Sequence, residues 1–338
     1  MKKAYLHIGV EKTGTSTIQS FLAKNRGALE QQGFLYPEAP GKLNHIGLTI
    51  LASDNRDQFY DLLPFGRVTP DADLNLYPAQ MLMELNDEVR KSACHTVVFS
   101  NEHLSSRIRA AKAITLLRDT LLSIADAVEV IVYLRRQDEA LLSEYSTSVK
   151  NGNTKRFALQ PHHLIKYNYA DLLDRWSAVF GREHMDIRLF EREAFENGDL
   201  INDFLQAIRC PHGEAFKRVP PQNVSLDVVC LEYLRRLNKY LPAFVDKRRN
   251  MERGYIHAQL AAISIGEKPQ LGSEEADEIL NQFEASNRDV ATRYLNRQDG
   301  RLFATSPERS LKNNLVVSDE DMAFKVGAAL WRRMRRVR

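Results

Sequence analysis

The sequence predicts an α/β fold in which a mostly parallel β-sheet is flanked by helices and followed by a mostly helical C-terminal part. Short apolar segments rich in β-branched residues recur in the first part of the chain, as expected of strands buried on both faces. Segments with apolar residues at helical spacing lie between them. A glycine-containing, hydroxyl-rich loop joins the first strand to the first helix. Strand alternating with helix is typical of a parallel sheet covered by helices.

Four strands are predicted, at residues 4–8, 96–100, 128–134 and 185–190. The first helix is predicted over residues 15–32, with Gly33 as its C-terminal stop. The other predicted helices cover residues 78–90, 110–124, 138–149, 169–180, 200–208, 226–238, 274–295 and 319–334. We expect one domain over residues 1–338, made of a core at 1–210 and a helical extension at 211–338. A separate second domain is the alternative.

Composition and charge limit the classes of function. The 338 residues are 43% apolar and 27% charged, which is typical of a soluble globular protein. A net charge of +3 gives no general argument for nucleic acid as a partner, although a locally basic cleft for an anion fits. No apolar run is long enough for a membrane span. Three scattered cysteines without a Cys-x-x-Cys pair fit reduced thiols in a cytoplasmic protein.

The segment at residues 331–338 is strongly basic. The preferred interpretation is a solvated helix end, where positive charge complements the helix dipole. Peripheral contact with an anionic polymer or a membrane surface is the alternative.

The loop after the first strand, residues 9–16, reads Gly-Val-Glu-Lys-Thr-Gly-Thr-Ser. Gly9 and Gly14 let backbone N–H groups turn toward an anion, and the helix start adds N–H donors and a positive dipole end. Lys12 adds a positive charge. Hydroxyl donors follow at Thr13, Thr15, Ser16 and Thr17. The loop predicts a phosphate-binding site in a P-loop-type parallel β-sheet.

This loop is not the nucleotide-triphosphatase form. Lys12 precedes Gly14 instead of following it, so the Gly-Lys-Ser/Thr sequence is missing. The second predicted strand leads into Asn101 and Glu102 and the third into Arg135 and Arg136, so no convincing aspartate offers a magnesium site. We therefore expect no metal. A kinase-like phosphotransferase and a non-catalytic nucleotide-binding module are the alternative functions.

The segment from His7 to Ser16 resembles the 5′-phosphosulfate loop of sulfotransferases that use 3′-phosphoadenosine-5′-phosphosulfate (PAPS). It is most similar to the bacterial and carbohydrate-directed branch, with its Gly-x-x-Lys-Thr-Gly-Thr/Ser core. The resemblance implies that residues 1–210 bind the nucleotide and that PAPS is the co-substrate. It also implies transfer of a sulfuryl group to a hydroxyl or amine, with a carbohydrate or glycoconjugate as acceptor and Lys12 neutralising the leaving oxygen.

A donor with a 3′-phosphate needs a second anion site. Arg135 ends the third predicted strand, and Ser143 follows eight residues later on a helix. The 3′-phosphate site of the sulfotransferase family resembles this pair, and Ser143-Glu144-Tyr145 matches its Ser-x-Tyr form. The sequence departs from the family at Arg136-Gln137, where Asn/Asp-Pro is common. Arg136 is an alternative phosphate contact.

The general base is predicted at the end of the second strand, beside the phosphate loop. Glu102 is the leading candidate there, with His103 as an alternative; His45, in the loop or helix start after the first βα unit, is another. Glu102 could instead cap the following helix or pair with a Lys or Arg. His7 is expected to support the loop.

His162 and His163 match no metal pattern, because adjacent side chains on a helix point apart and no third ligand is evident. The acceptor pocket is expected in variable segments at residues 37–64, 150–163 and 248–273, the last a loop or lid. The acceptor and the oligomeric state are not predicted.

Overall fold

Five parallel strands form the central sheet. The computed structural model describes residues 1–53, 76–211, 216–219, 225–246, 248–254, 256–304 and 314–336. The strands, in chain order, are β1 Lys3–His7, β2 Phe34–Leu35, β3 Thr96–Ser100, β4 Ala127–Leu134 and β5 Met185–Leu189. Their order in the sheet is β2-β3-β1-β4-β5. The predicted α/β fold with a parallel sheet flanked by helices is confirmed, and β2 is an additional strand.

Helices occupy most of the remaining described chain. Those up to the end of the sheet are α1 Thr15–Lys24, α2 Arg26–Gln31, α3 Ile46–Ala52, α4 Tyr77–Lys91, α5 His103–Arg107, α6 Ala111–Leu122, α7 Gln137–Lys150, α8 Pro161–Lys166 and α9 Tyr169–Phe180. The later ones are α10 Leu200–Ala207, α11 Val228–Leu237, α12 Ile256–Ala261, α13 Ser273–Asn281, α14 Glu284–Asp289 and α15 Asp319–Arg336, with a π-helical turn at Val290–Tyr294. A short antiparallel hairpin joins β6 Phe244–Val245 to β7 Arg248–Arg249.

The first predicted helix is broken at Asn25, between α1 and α2. The Asn25 side chain donates to the backbone oxygen of Lys217 at 3.0 Å and accepts from its N–H at 2.8 Å. The buried Asn25 amide thus pairs with the backbone of a segment that is far away in sequence. The helical pattern of residues 15–32 does not predict this pairing. The predicted helix at 274–295 is likewise divided into α13, α14 and the π-helical turn.

The chain divides into two compact units. The first unit comprises Met1–Arg135, Asn168–Gln222 and Ser286–Phe303, and the second comprises Arg136–Tyr167, Asn223–Ala285 and Ala304–Arg338. This grouping does not follow the expected boundary at residue 210, because α7 and α8 group with the later helices. The expectation of a single domain stays a prediction.

The first unit holds the sheet. In-register pairing places His7 beside Ser100 on β3 and beside Ile131 on β4, so β1, β3 and β4 end near one another. Helices α1 and α10 pack together over the sheet and share a core with Tyr5 and Tyr133. Helices α6 and α9 pack on each other and on β4. The carboxyl edge of the sheet is therefore where the loops after β1, β3 and β4 converge.

The second unit is mainly helical and also contains the β6–β7 hairpin. Helix α11 packs against α7, α12 and α15 around an apolar core. Glu232, Arg235 and Arg236 form a salt-bridged group on α11, in which Arg235 donates to both Glu232 oxygens. Among the described residues, no helix combines the length and the apolar character needed to cross a membrane.

Candidate active site

The loop between β1 and α1 begins as an extension of the sheet. Val10 N–H donates to the carbonyl of Tyr133 at 3.0 Å, and Tyr133 N–H donates to the carbonyl of Gly9 at 2.7 Å. The backbone then takes left-handed conformations, with φ of 101° at Gly9, 71° at Lys12 and 73° at Gly14. Such a φ at a lysine costs on the order of 1 kcal/mol and requires surrounding contacts to hold it.

Glycine is required at position 14 for a second reason. A Cβ there would lie 2.4 Å from Cδ2 of Leu200 and 3.2 Å from Cε2 of Phe190. Gly14 directly precedes α1, which begins without a capping side chain among the described residues. The loop therefore delivers the positive end of the α1 dipole close to Lys12, as expected of an anion site.

The loop hydroxyls have different environments. Thr13 is fully buried, and its Oγ1 donates to the carbonyl of Val10 at 2.6 Å, which closes the loop internally. Thr15 is also buried, whereas Ser16 and Thr17 are half-buried. Thr13 thus stabilises the loop shape, and all four hydroxyl residues stay predicted anion-binding residues.

Arg135 joins the end of β4 to the loop. Its Nη1 donates to the carbonyl of Lys12 at 2.9 Å, and its guanidinium lies 5.2 Å from the ring centroid of Phe190. The hydroxyl of Tyr169 donates to the Arg135 carbonyl at 2.6 Å. Two of the predicted donor-binding residues, Lys12 and Arg135, are therefore brought into contact.

Ser143 lies on α7 in the second unit, while Arg135 belongs to the first, so the Arg135–Ser143 pair stays a prediction. The alternative phosphate contact, Arg136, is engaged by carboxylates. It donates to Asp138 at 2.9 Å and to Glu139 at 3.0 Å, and its side chain is 11% exposed.

Glu102 lies directly against the phosphate loop. A Cβ on Gly9 would lie 3.0 Å from the Cα of Glu102 and 3.3 Å from its carbonyl oxygen, so only glycine permits this approach. Glu102 Oε2 accepts a hydrogen bond of 2.7 Å from the side-chain amide of Gln19. Within the described residues, Glu102 neither caps α5 with its side chain nor pairs with a Lys or Arg. Both structural alternatives for Glu102 are thus unsupported.

His103 lies beside a second carboxylate. Its Nδ1 is 3.3 Å from Oε1 of Glu11, although the two atoms are not aligned as a hydrogen bond. Ser106 Oγ donates to the same Glu11 oxygen at 2.6 Å. His103 N–H donates to Asn101 Oδ1 at 2.9 Å, which fixes the start of α5. A carboxylate beside an imidazole can orient it, so His103 stays an alternative base.

His45 is fully buried, with both ring nitrogens bonded to the backbone. Nε2 donates to the carbonyl of Pro37 at 2.9 Å, and Nδ1 accepts from the N–H of Ser100 at 3.2 Å. Burial lowers the pKa of His45 to about 3. These contacts favour a structural role, in which His45 ties the segment before α3 to the end of β3.

His7 is also fully buried, under the loop. Its Nδ1 is 2.8 Å from Ser100 Oγ, and its ring packs edge-on against Phe204 at a centroid distance of 5.3 Å. Burial lowers the pKa of His7 to about 3. Both buried histidines are therefore neutral at physiological pH.

Sequence reasoning missed Gln19 and Glu11 as partners of the candidate bases. Gln19 carries a signal that could have revealed it, because it lies on the apolar face of α1, beside Ile18 and Leu22, and is 2% exposed. A buried polar side chain on such a face needs a hydrogen-bond partner. The sequence around Glu11 offers no such signal. Its contact with His103 depends on how β3 and α5 are placed beside the loop, which the local sequence does not show.

The expectation that His162 and His163 point apart is wrong. Their ring centroids are 4.0 Å apart, and Glu144 supplies the third candidate ligand that the sequence did not show. Ligand atoms of the three residues lie within 4.8 Å of one another. However, His163 Nδ1 accepts from Gln160 N–H at 3.0 Å, and Glu144 Oε2 accepts from Lys166 Nζ at 3.0 Å. A cation would have to compete with both bonds.

The predicted acceptor segments are described in part. Residues 54–64 of the first segment lie outside the described residues. The segment at 248–273 is not a simple loop, because its described residues include β7, a 3₁₀ turn at Met251–Arg253 and α12.

No protein-family model matches this sequence. Among curated proteins, an uncharacterized protein of Archaeoglobus fulgidus is 30% identical over 200 residues, which is 58% of this chain. The match covers 50% of that relative, so the chain spans about half the length of the curated protein it matches.

Among solved structures, the crystal structure of a sulfotransferase from Alicyclobacillus acidocaldarius is similar, with a TM-score of 0.40 and 16% sequence identity. The alignment covers 65% of this chain and 87% of that one. Similarity at this level assigns no activity to the chain.

Proposed function

We propose that this chain is a sulfotransferase that transfers the sulfuryl group of PAPS to a hydroxyl or amine of an acceptor. The observation that carries the proposal is the close approach of the Glu102 backbone to Gly9, which brings Glu102 to the same sheet edge as Lys12 and the start of α1. An anion loop beside a carboxylate suits a reaction in which one group holds the leaving phosphate and another removes a proton. The missing Gly-Lys-Ser/Thr sequence disfavours the kinase-like alternative.

The residues present fit the donor. The loop backbone, Lys12 and the start of α1 would hold the 5′-phosphosulfate, as helix N-termini do for phosphates generally. Arg135, with Ser143 as its predicted partner, would hold the 3′-phosphate. Arg135 already bonds the Lys12 carbonyl, so the two anion-binding residues would move as one group.

The proposed chemistry is an in-line displacement at sulfur. The acceptor oxygen or nitrogen forms a new bond to sulfur while the bond from sulfur to the bridging phosphate oxygen breaks. The acceptor proton passes to Glu102, and the bonding electrons go to the bridging oxygen, whose charge Lys12 neutralises. The products are the sulfated acceptor and 3′-phosphoadenosine-5′-phosphate. A carbohydrate or glycoconjugate acceptor is proposed, because the loop resembles the carbohydrate-directed branch.

Calorimetry tests the donor. We expect the protein to bind 3′-phosphoadenosine-5′-phosphate more tightly than ATP with magnesium, and Lys12→Ala to weaken this binding at least about tenfold. Lys24→Ala, at the exposed other end of α1, is the matched control and should bind normally. Preference for ATP, or equal binding of adenosine 5′-phosphate, would exclude the PAPS proposal.

The acceptor requires a transfer assay. A labelled donor offered with glycans, glycolipids, phenols and amines should yield a labelled glycan, with no label transferred by Lys12→Ala. Transfer to phenols or amines alone would reassign the acceptor class while leaving the donor proposal intact. Tight donor binding without any transfer would instead favour a non-catalytic nucleotide-binding module.

A further inference from the structure

Helix α15 has two apolar faces. Met322 and Val326 are buried, and Val326 belongs to the core shared with α11. On another side of the same helix, Phe324 and Trp331 are 70% and 62% exposed. One face of α15 is therefore used in the fold, and the other presents two large aromatic side chains to solvent.

The exposed aromatics belong to one stripe. Three residues follow Phe324 at spacings of three, four and seven: Gly327, Ala328 and Trp331. These spacings place all four residues on one side of the helix. A Cβ on Gly327 would meet nothing within 4 Å, and Ala328 is exposed. The small residues between the two aromatics leave their rings projecting. We call these four residues the outer stripe.

Positive charge borders the outer stripe. From Lys325 to Arg333 the helix has three basic residues and no acidic one, although the whole chain has a net charge of only +3. Lys325 and Arg332 each follow one of the two aromatics, so they lie along the same border of the stripe, and both are exposed. The acidic residues of α15 are confined to its first turn, at Asp319, Glu320 and Asp321.

We propose that the outer stripe of α15 binds an anionic lipid surface. A helix with projecting aromatic rings and a basic border lies in the membrane interface, where the rings enter the headgroup region and the cations pair with lipid phosphates. A second protein copy fits less well. Two aromatic side chains supply roughly 150–250 Å² each, below the about 800 Å² per partner that stable protein interfaces bury. This inference does not depend on the proposed sulfuryl transfer.

The chain offers an internal probe for this surface. It contains two tryptophans: Trp176 is fully buried, while Trp331 belongs to the outer stripe. Changes in tryptophan emission on adding vesicles therefore report on Trp331. The full-length protein is titrated with vesicles of phosphatidylcholine alone and of phosphatidylcholine with phosphatidylserine, and acrylamide quenching is measured in each.

We expect a blue shift and reduced quenching with the phosphatidylserine vesicles, at least about tenfold tighter binding than to neutral vesicles, and weakening in high salt. Unchanged emission at millimolar lipid, or equal binding to neutral vesicles, would overturn the proposal. So would a blue shift that follows protein concentration without lipid and accompanies dimer formation in light scattering, because the stripe would then bind a second copy.

A pair of variants tests the position of the surface. Phe324→Glu keeps the Trp331 probe and places a negative charge in the stripe, so it should reduce vesicle binding at least about tenfold. Met83→Glu, on α4, changes a side chain that is 73% exposed and should bind vesicles normally. Equal binding by both variants, with matching thermal melts, would place the lipid contact elsewhere.

Discussion

The side-chain amide of Gln19 donates a hydrogen bond of 2.7 Å to Oε2 of Glu102. Gln19 is buried on α1, the helix that begins at the phosphate loop, so one helix contributes both to the anion site and to the orientation of the candidate base. The same amide is 3.4 Å from Ser100 Oγ, which lies 2.8 Å from Nδ1 of His7. We therefore propose Gln19 as a positioning residue for Glu102, with the buried Ser100 and His7 beside it.

Removing this bond should separate catalysis from donor binding. We expect Gln19→Leu to lower kcat about tenfold or more, because a hydrogen bond to a charged group contributes roughly 1.5–3 kcal/mol. The affinity for 3′-phosphoadenosine-5′-phosphate, measured by calorimetry, should change little. Gln80→Leu, an exposed glutamine on α4, is the control. A parallel loss of kcat and nucleotide affinity would indicate a general disturbance of the loop instead.

The identity of the base can be decided by a pair of variants. Glu102→Gln preserves shape and removes the carboxylate, and general-base catalysis contributes typically 10²–10⁴-fold. We therefore expect kcat to fall by about that factor in Glu102→Gln and much less in His103→Asn. Stopped assays with labelled donor give the rates. The reverse order, with Glu11→Gln matching His103→Asn, would assign the proton transfer to the Glu11–His103 pair.

Two glycine substitutions should have opposite effects. Gly14→Ala meets Leu200 at a φ of 73°, so we expect a loss of about 1–3 kcal/mol in the free energy of unfolding and weaker nucleotide binding. Gly27→Ala lies on α2, with nothing within 4 Å of the added Cβ, and should be neutral or stabilise by about 0.5–1 kcal/mol. Urea denaturation measures both. Similar values for the two variants would contradict the close packing at Gly14.

Arg135→Met should weaken binding most for ligands that carry a 3′-phosphate. The expected loss is about tenfold or more for 3′-phosphoadenosine-5′-phosphate and much smaller for adenosine 5′-phosphate, since a charge-assisted contact disappears only in the first case. Calorimetry with the two nucleotides gives the comparison. An equal loss for both would mean that Arg135 acts mainly through its bond to the Lys12 carbonyl.

The buried histidines should make the fold sensitive to acid. Burial lowers the pKa of His7 and His45 to about 3, whereas an unfolded histidine titrates near 6.5. Between these values the unfolded chain binds more protons, so stability falls as pH decreases from about 6.5, by at most about 1.4 kcal/mol per pH unit for each group. His45→Gln should be less stable at pH 7.5 but lose less between pH 7.5 and 5 than the wild type. Urea denaturation at both pH values tests this, and equal slopes would contradict it.

The sequence was most informative where local patterns decide structure. β3 contains the apolar run from Val97 to Phe99 and β4 the run from Val130 to Leu134, and α9 is amphipathic from Tyr169 to Phe180, so the positions of these elements follow from local patterns. The two residues of β2 are too few to form a pattern. The break at Asn25 depends on Lys217, which no local signal connects to it.

The candidate site also combines features that local sequence predicts with contacts between distant residues that it does not predict. Glycine, lysine and hydroxyl residues in a loop before a helix predict an anion site, because the backbone conformation of such a loop is determined by its local sequence. The partners of the candidate bases depend on packing: Gln19 meets Glu102 across 83 residues, and Ser106 meets Glu11 across 95. Such contacts require β1 and β3 to pair in register.

The left-handed backbone of Lys12 has a consequence for how this loop can change during evolution. Glycine at that position would relieve the conformational cost and make the fold more stable, but it would remove the cation that the proposed reaction uses. In the proposed reaction, stability and turnover therefore place conflicting demands on one side chain. The loop tolerates that conflict because its neighbours, Thr13 and Arg135, hold the backbone from both sides.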